Sequence, residues 1–275
     1  QNRMRERFVG TWIGSRLEEL RSNFELLRLS ISKQEQLCAY FNDHFATRLA
    51  CQLSQGSENV LDVGAHIGSF TAAVNRLGHP LGRIIAFEPV PTKANWLKRR
   101  FPDLEVHQAA AGGGVGEITF YVDQLSSALS SMVPPGSEGI DNPTISKVQV
   151  PLTTIDAVVG NRQISFVKMD VEGAELEAIR GARQVLNDSR PILMFESGPW
   201  KDDAERARRG DLWNLLTNFG YLIFVPDRVP HNAPAISCDT FLDSHIYPRR
   251  TTNYFAIARE RREEVLKRAS SYVHY

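Results

Sequence analysis

The chain has no excess of charge of either sign, only three cysteines and no long apolar run. Lysine plus arginine and aspartate plus glutamate each total 32 of the 275 residues, so the composition predicts neither a nucleic-acid partner nor an anionic membrane surface. Cys38, Cys51 and Cys238 follow no metal-binding or disulfide spacing, and we expect reduced thiols in a cytoplasmic protein. Because no apolar run approaches the roughly 20 residues that span a bilayer, we expect neither a membrane segment nor a signal peptide.

The first part of the chain has a helical pattern. Large apolar side chains recur there every three or four residues in two successive stretches, which predicts two helices. Such helices form a lid over an active site, a face for a homo-oligomer, or a layer packed on a sheet, and the layer is the simplest of the three. We therefore divide the chain into a helical extension (residues 1–57), an α/β domain (58–260) and a charged C-terminal helix or tail (261–275).

A glycine turn follows the first apolar strand of the α/β domain. Residues 59–63 predict a buried parallel strand, and Gly64 and Gly68 bracket a turn into a helix. His66 stands where a dinucleotide-binding G-x-G-x-x-G motif has its middle glycine, which disfavours an NAD(P)-dependent oxidoreductase. The remaining pattern is D-x-G-x-x-x-G from Asp62. It is either an ordinary strand-to-helix turn or a site for a nucleotide-like ligand at the helix N-terminus.

The predicted second and third strands favour the interpretation of the glycine turn as a ligand site. A strand over residues 83–87 ends in Glu88, which follows Gly68 by 20 residues. An acidic side chain at this separation from a glycine turn accepts hydrogen bonds from ribose hydroxyls. A third strand over residues 104–111 ends in small residues at the same sheet edge. We expect adenine to lie against three of its residues, Gln108, Ala109 and Ala110.

The remaining patterns complete the predicted sheet. Residues 116–123 alternate as an edge strand of that sheet does, and residues 126–142 predict a binding loop or a disordered one. Residues 174–186 predict one helix. The last two strands, at 221–225 and 254–258, have little helical pattern between them, so we expect them to be antiparallel.

Charged residues follow two of the central strands. Lys168, Asp170 and Glu172 recur at period two, so they project to one side at the carboxyl end of a parallel strand, where α/β sheets bind ligands. Glu196 ends the next apolar strand. These groups either form an internal ion pair that also caps the following helix, or hold and deprotonate a substrate. We favour the second interpretation.

Two stretches of the chain together resemble the FkbM-type methyltransferases. One is VLDVGAHIGSFT with the later FEP at Glu88, and the other is a K-x-D-V-E-G-x-E run from Lys168 before a helix that ends in Gly181 and Ala182. The resemblance covers residues 59–260 and departs at His66, where such proteins often carry Asn. It implies a Rossmann-like class I methyltransferase: an α/β fold with a seven-stranded, mostly parallel sheet and an antiparallel last strand, here preceded by the N-terminal helices.

The resemblance also implies S-adenosylmethionine as the cofactor and O-methylation of a hydroxyl on a sugar or natural product. By it, Asp62 lies near the methionine end of the cofactor, and the glycine turn passes beneath it. The residues that we expect to bind the cofactor are Asp62, Gly64, Ala65, His66, Gly68, Ser69, Glu88, Pro89, Gln108, Ala109, Ala110 and Asp170.

A hydroxyl acceptor must lose its proton at or near the transition state. We assign this step to Asp170 or Glu172, with Glu196 orienting the acceptor and Lys168 setting the carboxylate pKa by its charge. His66 is the alternative base. A divalent cation bound by the carboxylates is a further alternative, and we favour a metal-free site. The rival function is a non-catalytic binding module with the same fold.

Overall fold

The computed structural model describes residues 8–56, 58–78, 80–123, 130–132 and 144–273. Within this part of the chain, ten strands form one sheet of seven and one of three. The strands are β1 (Val60–Val63), β2 (Ile84–Phe87), β3 (Glu105–His107), β4 (Ala110–Ala111), β5 (Gly116–Asp123), β6 (Ile145–Thr153), β7 (Phe166–Met169), β8 (Ile192–Glu196), β9 (Tyr221–Phe224) and β10 (Asn253–Ala258).

The larger sheet has the strand order β3-β2-β1-β7-β8-β10-β9. β1 pairs in parallel with β2 and β7, and β7 pairs in parallel with β8, whereas β10 is antiparallel to β8 and β9. The predicted class I fold and its antiparallel last strand are therefore confirmed. Because the chain order reverses between β1 and β7, the carboxyl ends of these two strands border a crevice that α/β sheets use for ligands.

The single strand predicted over residues 104–111 is wrong. β3 pairs with β2 in the large sheet, whereas β4 pairs with β6 in the small one. A tight turn separates them, in which the Ala109 N–H donates to the His107 carbonyl oxygen at 3.0 Å. β5, which the sequence predicts at the edge of the large sheet, pairs along its whole length with β6. The predicted loop at 126–142 lies outside the described residues except at positions 130–132.

Helices cover both faces of the large sheet. The helix predicted over residues 174–186 is two helices that are divided at Gly181 and Ala182. The backbone passes close to Gly112 there, and a Cβ at position 181 would lie 2.0 Å from the Gly112 carbonyl oxygen. The helices are α1 (Trp12–Ser32), α2 (Gln34–Leu53), α3 (Ser69–Ala73), α4 (Pro91–Arg100), α5 (Ile155–Val159), α6 (Glu175–Arg180), α7 (Arg183–Asp188), α8 (Asp203–Asn218), α9 (Cys238–Asp243) and α10 (Arg262–Val273).

Alternate residues of the central strands enter two apolar cores. Leu61 and Val63 of β1 face α6, α7 and α8, whereas Val60 faces α2, α3, α4 and α10. α2 and α10, at the two ends of the chain, thus pack on the same side of the sheet. Within the described residues, no helix combines the length and the apolar character that crossing a bilayer requires.

Candidate active site

The turn after β1 brings the backbone of two strands together. Gly64 has φ +81°, and a Cβ at this position would lie 1.8 Å from the carbonyl oxygen of Asp170 at the end of β7. Its N–H donates to the carbonyl oxygen of Phe87 at 3.0 Å, which ties the turn to β2. A positive φ and the absence of a side chain are both needed here, and glycine meets both requirements. The turn therefore sits directly between the ends of β2 and β7.

Glu88, which follows β2, is held against this turn. Its Oε2 accepts a hydrogen bond from the His66 N–H and its Oε1 accepts one from the Val90 N–H, each at 2.9 Å. The side chain is buried, and burial raises the pKa of Glu88 above its ordinary value despite the nearby Lys93 and these hydrogen bonds. A carboxylate oxygen has two lone pairs. Each oxygen of Glu88 thus retains acceptor capacity for a ligand.

Lys168 lies within β7 and carries its ammonium group under the turn. Its Nζ donates to the Gly64 carbonyl oxygen at 2.8 Å and forms ion pairs with Asp62 at 3.3 Å and Asp170 at 3.4 Å. Burial opposes the charge, but Asp170 and Asp62 outweigh it and raise the pKa of Lys168. Asp62 also accepts a hydrogen bond from Thr71 at 2.7 Å. A charged lysine on β7 therefore links this strand to β1 beneath the crevice.

Three carboxyl groups converge beside Lys168, where Asp170, Glu172 and Glu196 each place an oxygen within 4.8 Å of the others. Burial and the charge of Asp170 raise the pKa of Glu196 to about 10. Burial opposes ionisation of Asp170 as well, but Lys168 and a hydrogen bond from Glu196 hold its pKa below the usual range. Burial and the charges of Asp170 and Glu175 raise the pKa of Glu172 to about 7. These pKa shifts favour an ionised Asp170 and a protonated Glu196 at neutral pH, and they bring the titration of Glu172 close to neutrality.

A cavity of about 410 Å³ contains these groups. It extends from Glu88 and the alanines of β4 to the carboxyl cluster, and Ser130 and Met132 border it. Between them, the Ser131 hydroxyl donates a hydrogen bond to the Glu172 carbonyl oxygen at 2.7 Å. The predicted site residues that line it are Gly64, Ala65, His66, Ser69, Glu88, Pro89, Ala109, Ala110, Lys168, Asp170, Glu172 and Glu196.

Asp62, Gly68 and Gln108, which the sequence analysis assigns to the cofactor, do not line this cavity. Asp62 is completely buried below it and forms an ion pair with Lys168. A Cβ on Gly68 would lie 2.5 Å from the ring of Phe101, so this glycine allows α3 to pack against its neighbour. In a sequence pattern, glycines that approach a ligand and glycines that approach another helix look the same.

The structure adds wall residues that the sequence analysis misses. Lys93 lies in the first turn of α4, five residues after Glu88. This short distance from a predicted ligand residue is visible in the sequence and could have identified Lys93. Asn253 pairs with Glu196 across β10 and β8, which only the antiparallel register reveals. The missed residues are Glu18, Thr47, Val63, Phe70, Ala73, Phe87, Lys93, Ala111, Phe120, Ser130, Met132, Val171, Met194 and Asn253.

A second cleft, of about 1030 Å³, lies between α1 and α2. It shares Glu18, Thr47 and Ala73 with the cavity at the sheet, so the two spaces adjoin. Its walls carry aromatic and hydrogen-bonding side chains from both helices. They include Trp12, Ser15, Arg16, Arg21, Glu25, Tyr40, His44, Arg48, Gln52 and Arg76.

The sheet order, the carboxylate after β2 and the charged end of β7 define a Rossmann-like class I methyltransferase. The family model described as "Methyltransferase FkbM domain" matches residues 62–223, which is more than half of the chain, and the chain belongs to this family. The chain is 24% identical over 194 residues to "Methyltransferase 1" of Beauveria bassiana (strain ARSEF 2860), and the match covers 62% of this chain and 76% of that protein.

Two solved structures are similar at lower identity. The methyltransferase FkbM from Methylobacillus flagellatus KT matches with 21% identity and a TM-score of 0.45, over 74% of this chain and 44% of that one. The chain thus spans less than half the length of that protein. Fibrillarin of Aeropyrum pernix, solved with natively bound S-adenosyl-L-methionine, matches with 11% identity and a TM-score of 0.38, over 75% and 68% of the two chains.

Proposed function

We propose that this protein is an S-adenosylmethionine-dependent O-methyltransferase that acts on a hydroxylated small molecule such as a sugar. The observation that carries the proposal is one cavity bordered both by Glu88 and by the cluster of Asp170, Glu172 and Glu196. A carboxylate suited to ribose and a carboxylate suited to accept a proton thus border the same space, so a donor and an acceptor bound there would meet. Membership of the family supports methyl transfer as the reaction.

The residues around the glycine turn fit the cofactor. Glu88 is buried yet borders the cavity, and its oxygens retain lone pairs for the two ribose hydroxyls. Ala109, Ala110 and Phe120 provide an apolar wall for adenine. The cavity volume of about 410 Å³ lies within the range of small-molecule sites. When bound, the cofactor supplies a methyl group activated by its positively charged sulfur.

Glu172 is the base that the electrostatics support best. A pKa of about 7 lets it accept a proton at neutral pH while it remains basic enough to do so effectively. Asp170 is a weaker base because Lys168 lowers its pKa, and Glu196 is already protonated. We therefore assign proton removal from the acceptor to Glu172, with Glu196 donating to Asp170 and orienting the acceptor. His66 borders the same cavity and remains the alternative base.

Lys168 provides the positive charge in this mechanism. Its ammonium group balances Asp62 and Asp170 and keeps the second of these ionised. The mechanism uses no divalent cation, so activity is expected to survive dialysis against a chelator. Loss of activity that is restored by one added cation would instead support a metal bound by the carboxyl cluster.

The cleft between α1 and α2 supports a hydroxylated acceptor. It joins the cavity beside Ala73, and its walls combine the rings of Trp12 and Tyr40 with charged and amide side chains. Aromatic faces and many hydrogen-bonding groups suit a polar, ring-shaped molecule. We retain residues 58–260 as the catalytic domain, with the extension at 1–57 and the tail at 261–275. The free cysteines support a cytoplasmic site of action.

The central experiment is incubation of the chain with methyl-labelled S-adenosylmethionine and fractionated hydroxylated metabolites, followed by mass detection of a methyl gain. Calorimetric titration with S-adenosylmethionine, S-adenosylhomocysteine and NAD accompanies it. We expect Glu88→Ala to weaken binding of the first two at least about tenfold, because both ribose contacts are lost. Cofactor binding with no methyl gain in any fraction would favour the non-catalytic module, and selective binding of NAD would favour an oxidoreductase.

A further inference from the structure

The outward face of α1 carries a continuous apolar stripe. Six of its side chains are each between 51% and 76% exposed and recur along the helix at alternating steps of four and three residues. Trp12, beside its first member, is also exposed. An exposed apolar area of this extent marks a site of interaction in a folded protein. The stripe consists of Ile13, Leu17, Leu20, Phe24, Leu27 and Ile31.

The opposite face of α1 is polar, although it faces the rest of the protein. Ser15, Glu18, Ser22 and Glu25 line the cleft over α2, and α1 fully buries only Gly14 and Leu29 among its described residues. A surface helix of a globular protein ordinarily turns its apolar face to the core. α1 does the reverse, so its apolar face is left for something other than this chain's own core.

The spacing and the narrow width of the stripe together identify the kind of occupant. A step of four followed by a step of three repeats every seven residues, the period that two helices need to keep one seam in contact as they supercoil. In heptad notation, Leu17, Phe24 and Ile31 occupy a positions, and Ile13, Leu20 and Leu27 occupy d positions. The e and g positions beside this seam carry no large apolar side chain, whereas a helix that packs on the core of its own domain has apolar residues at e or g as well as at a and d. These positions are Gly14, Arg16, Arg21, Asn23, Arg28 and Ser30. The occupant is therefore another helix with the same repeat.

The charges of α1 argue against a membrane surface. The helix contains three arginines and three glutamates, and Arg16 pairs with Glu19 and Arg28 with Glu25. Helices that lie on anionic bilayers carry an excess of lysine and arginine on their polar face. α1 has no such excess, and its repeat is complementary to a second copy of itself.

We propose that α1 is the dimer interface of this protein and that it pairs antiparallel with α1 of a second copy, around a twofold axis near Ser22. A parallel pair would set Arg16 at a g position against the partner's Arg21 at an e position on both sides of the dimer. An antiparallel pair places e against e, so it brings only the two copies of Arg21 together and has one repulsive contact instead of two. The antiparallel seam pairs Ile13 with the partner's Ile31, Leu17 with the partner's Leu27, and Leu20 with the partner's Phe24.

The first test is sedimentation equilibrium of the full chain at micromolar concentration. We expect a mass twice the 30.9 kDa of one chain, and a dissociation constant raised at least about tenfold by Leu20→Glu or Phe24→Glu. Leu81→Glu is the matched control, because Leu81 is 83% exposed in the turn before β2, outside the stripe. This control should dimerise as the wild type does. Cofactor affinity of all three variants reports whether the site remains folded.

Three results would overturn the proposal: a wild type that stays monomeric, stripe variants that dimerise unchanged, or a wild type that binds phosphatidylcholine vesicles containing phosphatidylserine without self-association. A second measurement tests the orientation in a Cys38→Ser background. Asn23→Cys lies beside the twofold axis and should form an intermolecular disulfide on oxidation, whereas Ser30→Cys should not. A dimer in which Asn23→Cys fails to cross-link would contradict the antiparallel arrangement. None of these results depends on the proposed methyl transfer.

Discussion

The side chain of Glu172 shares its cavity with two other carboxyl groups, and this environment raises its pKa to about 7. If Glu172 removes the acceptor proton, Glu172→Gln should lower kcat/KM by roughly 10²- to 10⁴-fold, the usual contribution of a general base. In the wild type, kcat/KM should rise as pH increases toward about 7 and level off above it, because only ionised Glu172 accepts a proton. The measurement is a pH series with the acceptor found in the labelling experiment.

The control for Glu172 is Glu177→Gln. Glu177 lies on α6, where it forms an exposed ion pair with Arg180, so its loss should leave the rate and the pH profile unchanged. Both variants should retain the wild-type affinity for S-adenosylmethionine. A pH profile of Glu172→Gln that still rises through neutral pH at a near-normal rate would transfer the role of base to another group, with His66 as the next candidate.

The raised pKa of Glu196 predicts an effect on stability. The folded protein keeps a proton on Glu196 up to about pH 10, whereas the unfolded chain releases it near the ordinary pKa of 4.5. Between these values the folded state binds more protons, so the wild type loses stability as pH rises. Glu196→Gln keeps a neutral hydrogen-bond donor to Asp170. Its free energy of unfolding should therefore increase relative to that of the wild type, by at most about 1.4 kcal/mol per pH unit.

Urea unfolding at several pH values between about 6 and 9 measures this difference. Glu196→Ala provides the contrast, because it removes both the titrating group and the donor to Asp170 and should be less stable than Glu196→Gln throughout. If the curves of the wild type and Glu196→Gln are parallel across this range, Glu196 is ionised in the folded protein, and its assigned role as a hydrogen-bond donor is wrong.

The carboxyl cluster shows which features of the site a sequence pattern predicts and which it does not. Strand periodicity predicts that Asp170 and Glu172 lie at one sheet edge with Glu196, and the structure brings the three together. The sequence analysis also predicts that the charge of Lys168 sets a carboxylate pKa. Which group Lys168 keeps ionised, and which group burial keeps protonated, depends on distances and burial in the folded chain, which spacing and residue type do not specify. The sequence therefore predicts which residues meet but not which of them carries the proton.

At the scale of the element, the glycine turn after β1 fixes the distance between two strands. We expect Gly64→Ala to lower the free energy of unfolding by roughly 3–4 kcal/mol, since the new Cβ would overlap the carbonyl oxygen of Asp170 and also strain a positive φ. Gly56→Ala is the matched control. Gly56 has φ +66° with nothing within 4 Å of the added Cβ, so it isolates the backbone strain, about 1–2 kcal/mol.

Chemical unfolding of both variants separates the contact from the strain. The difference between the two losses is the effect of the contact with β7, and cofactor binding by Gly64→Ala should weaken in parallel because Lys168 donates to the Gly64 carbonyl oxygen. Equal losses in the two variants would mean that the turn and β7 move apart without cost. The close approach would then have no part in holding the site.

Elements with local signals are predicted better than elements defined by distant partners. β1 lies within residues 59–63, where the sequence predicts a strand, and β7 ends beside Asp170, at the charged strand end that the sequence predicts. β4 has only two residues and exists because β6, about forty residues further along the chain, pairs with it. No local pattern identifies such a strand. The division between α6 and α7 also lies at a contact with a distant residue, because the backbone of Gly181 passes close to Gly112 there.

At the scale of the molecule, the two helices of the N-terminal extension have different relations to the sheet. α2 buries Leu49 and Leu53 completely in the core beside β1. Its Asp43 accepts hydrogen bonds from Thr252 and Asn253 at the start of β10, within 3.2 Å in each case. Of the three roles predicted for the N-terminal helices, α2 has that of a layer packed on the sheet. The role of an oligomer face stays a proposal for α1. Helical periodicity is similar in both and does not separate them.

This difference predicts the result of two truncations. A chain that begins at residue 34 loses α1 but retains the core, and we expect it to fold, bind S-adenosylmethionine and unfold cooperatively. A chain that begins at residue 54 also loses α2, which leaves the Val60 side of the sheet exposed to water and removes Asp43 from β10. Loss of several fully buried side chains, at about 1.5–3 kcal/mol each, exceeds the stability of an ordinary domain.

Circular dichroism on heating checks both chains, and calorimetric titration with S-adenosylmethionine checks the site. Leu49→Ala in the full chain is an intermediate case that removes one buried side chain and should cost about 2–5 kcal/mol. The matched surface substitution, Leu20→Ala, should cost little, since Leu20 is exposed on α1. If the chain that begins at residue 54 still melted cooperatively and bound the cofactor, α2 would be dispensable. If the chain that begins at residue 34 failed to fold, α1 would be part of the core despite its exposed face.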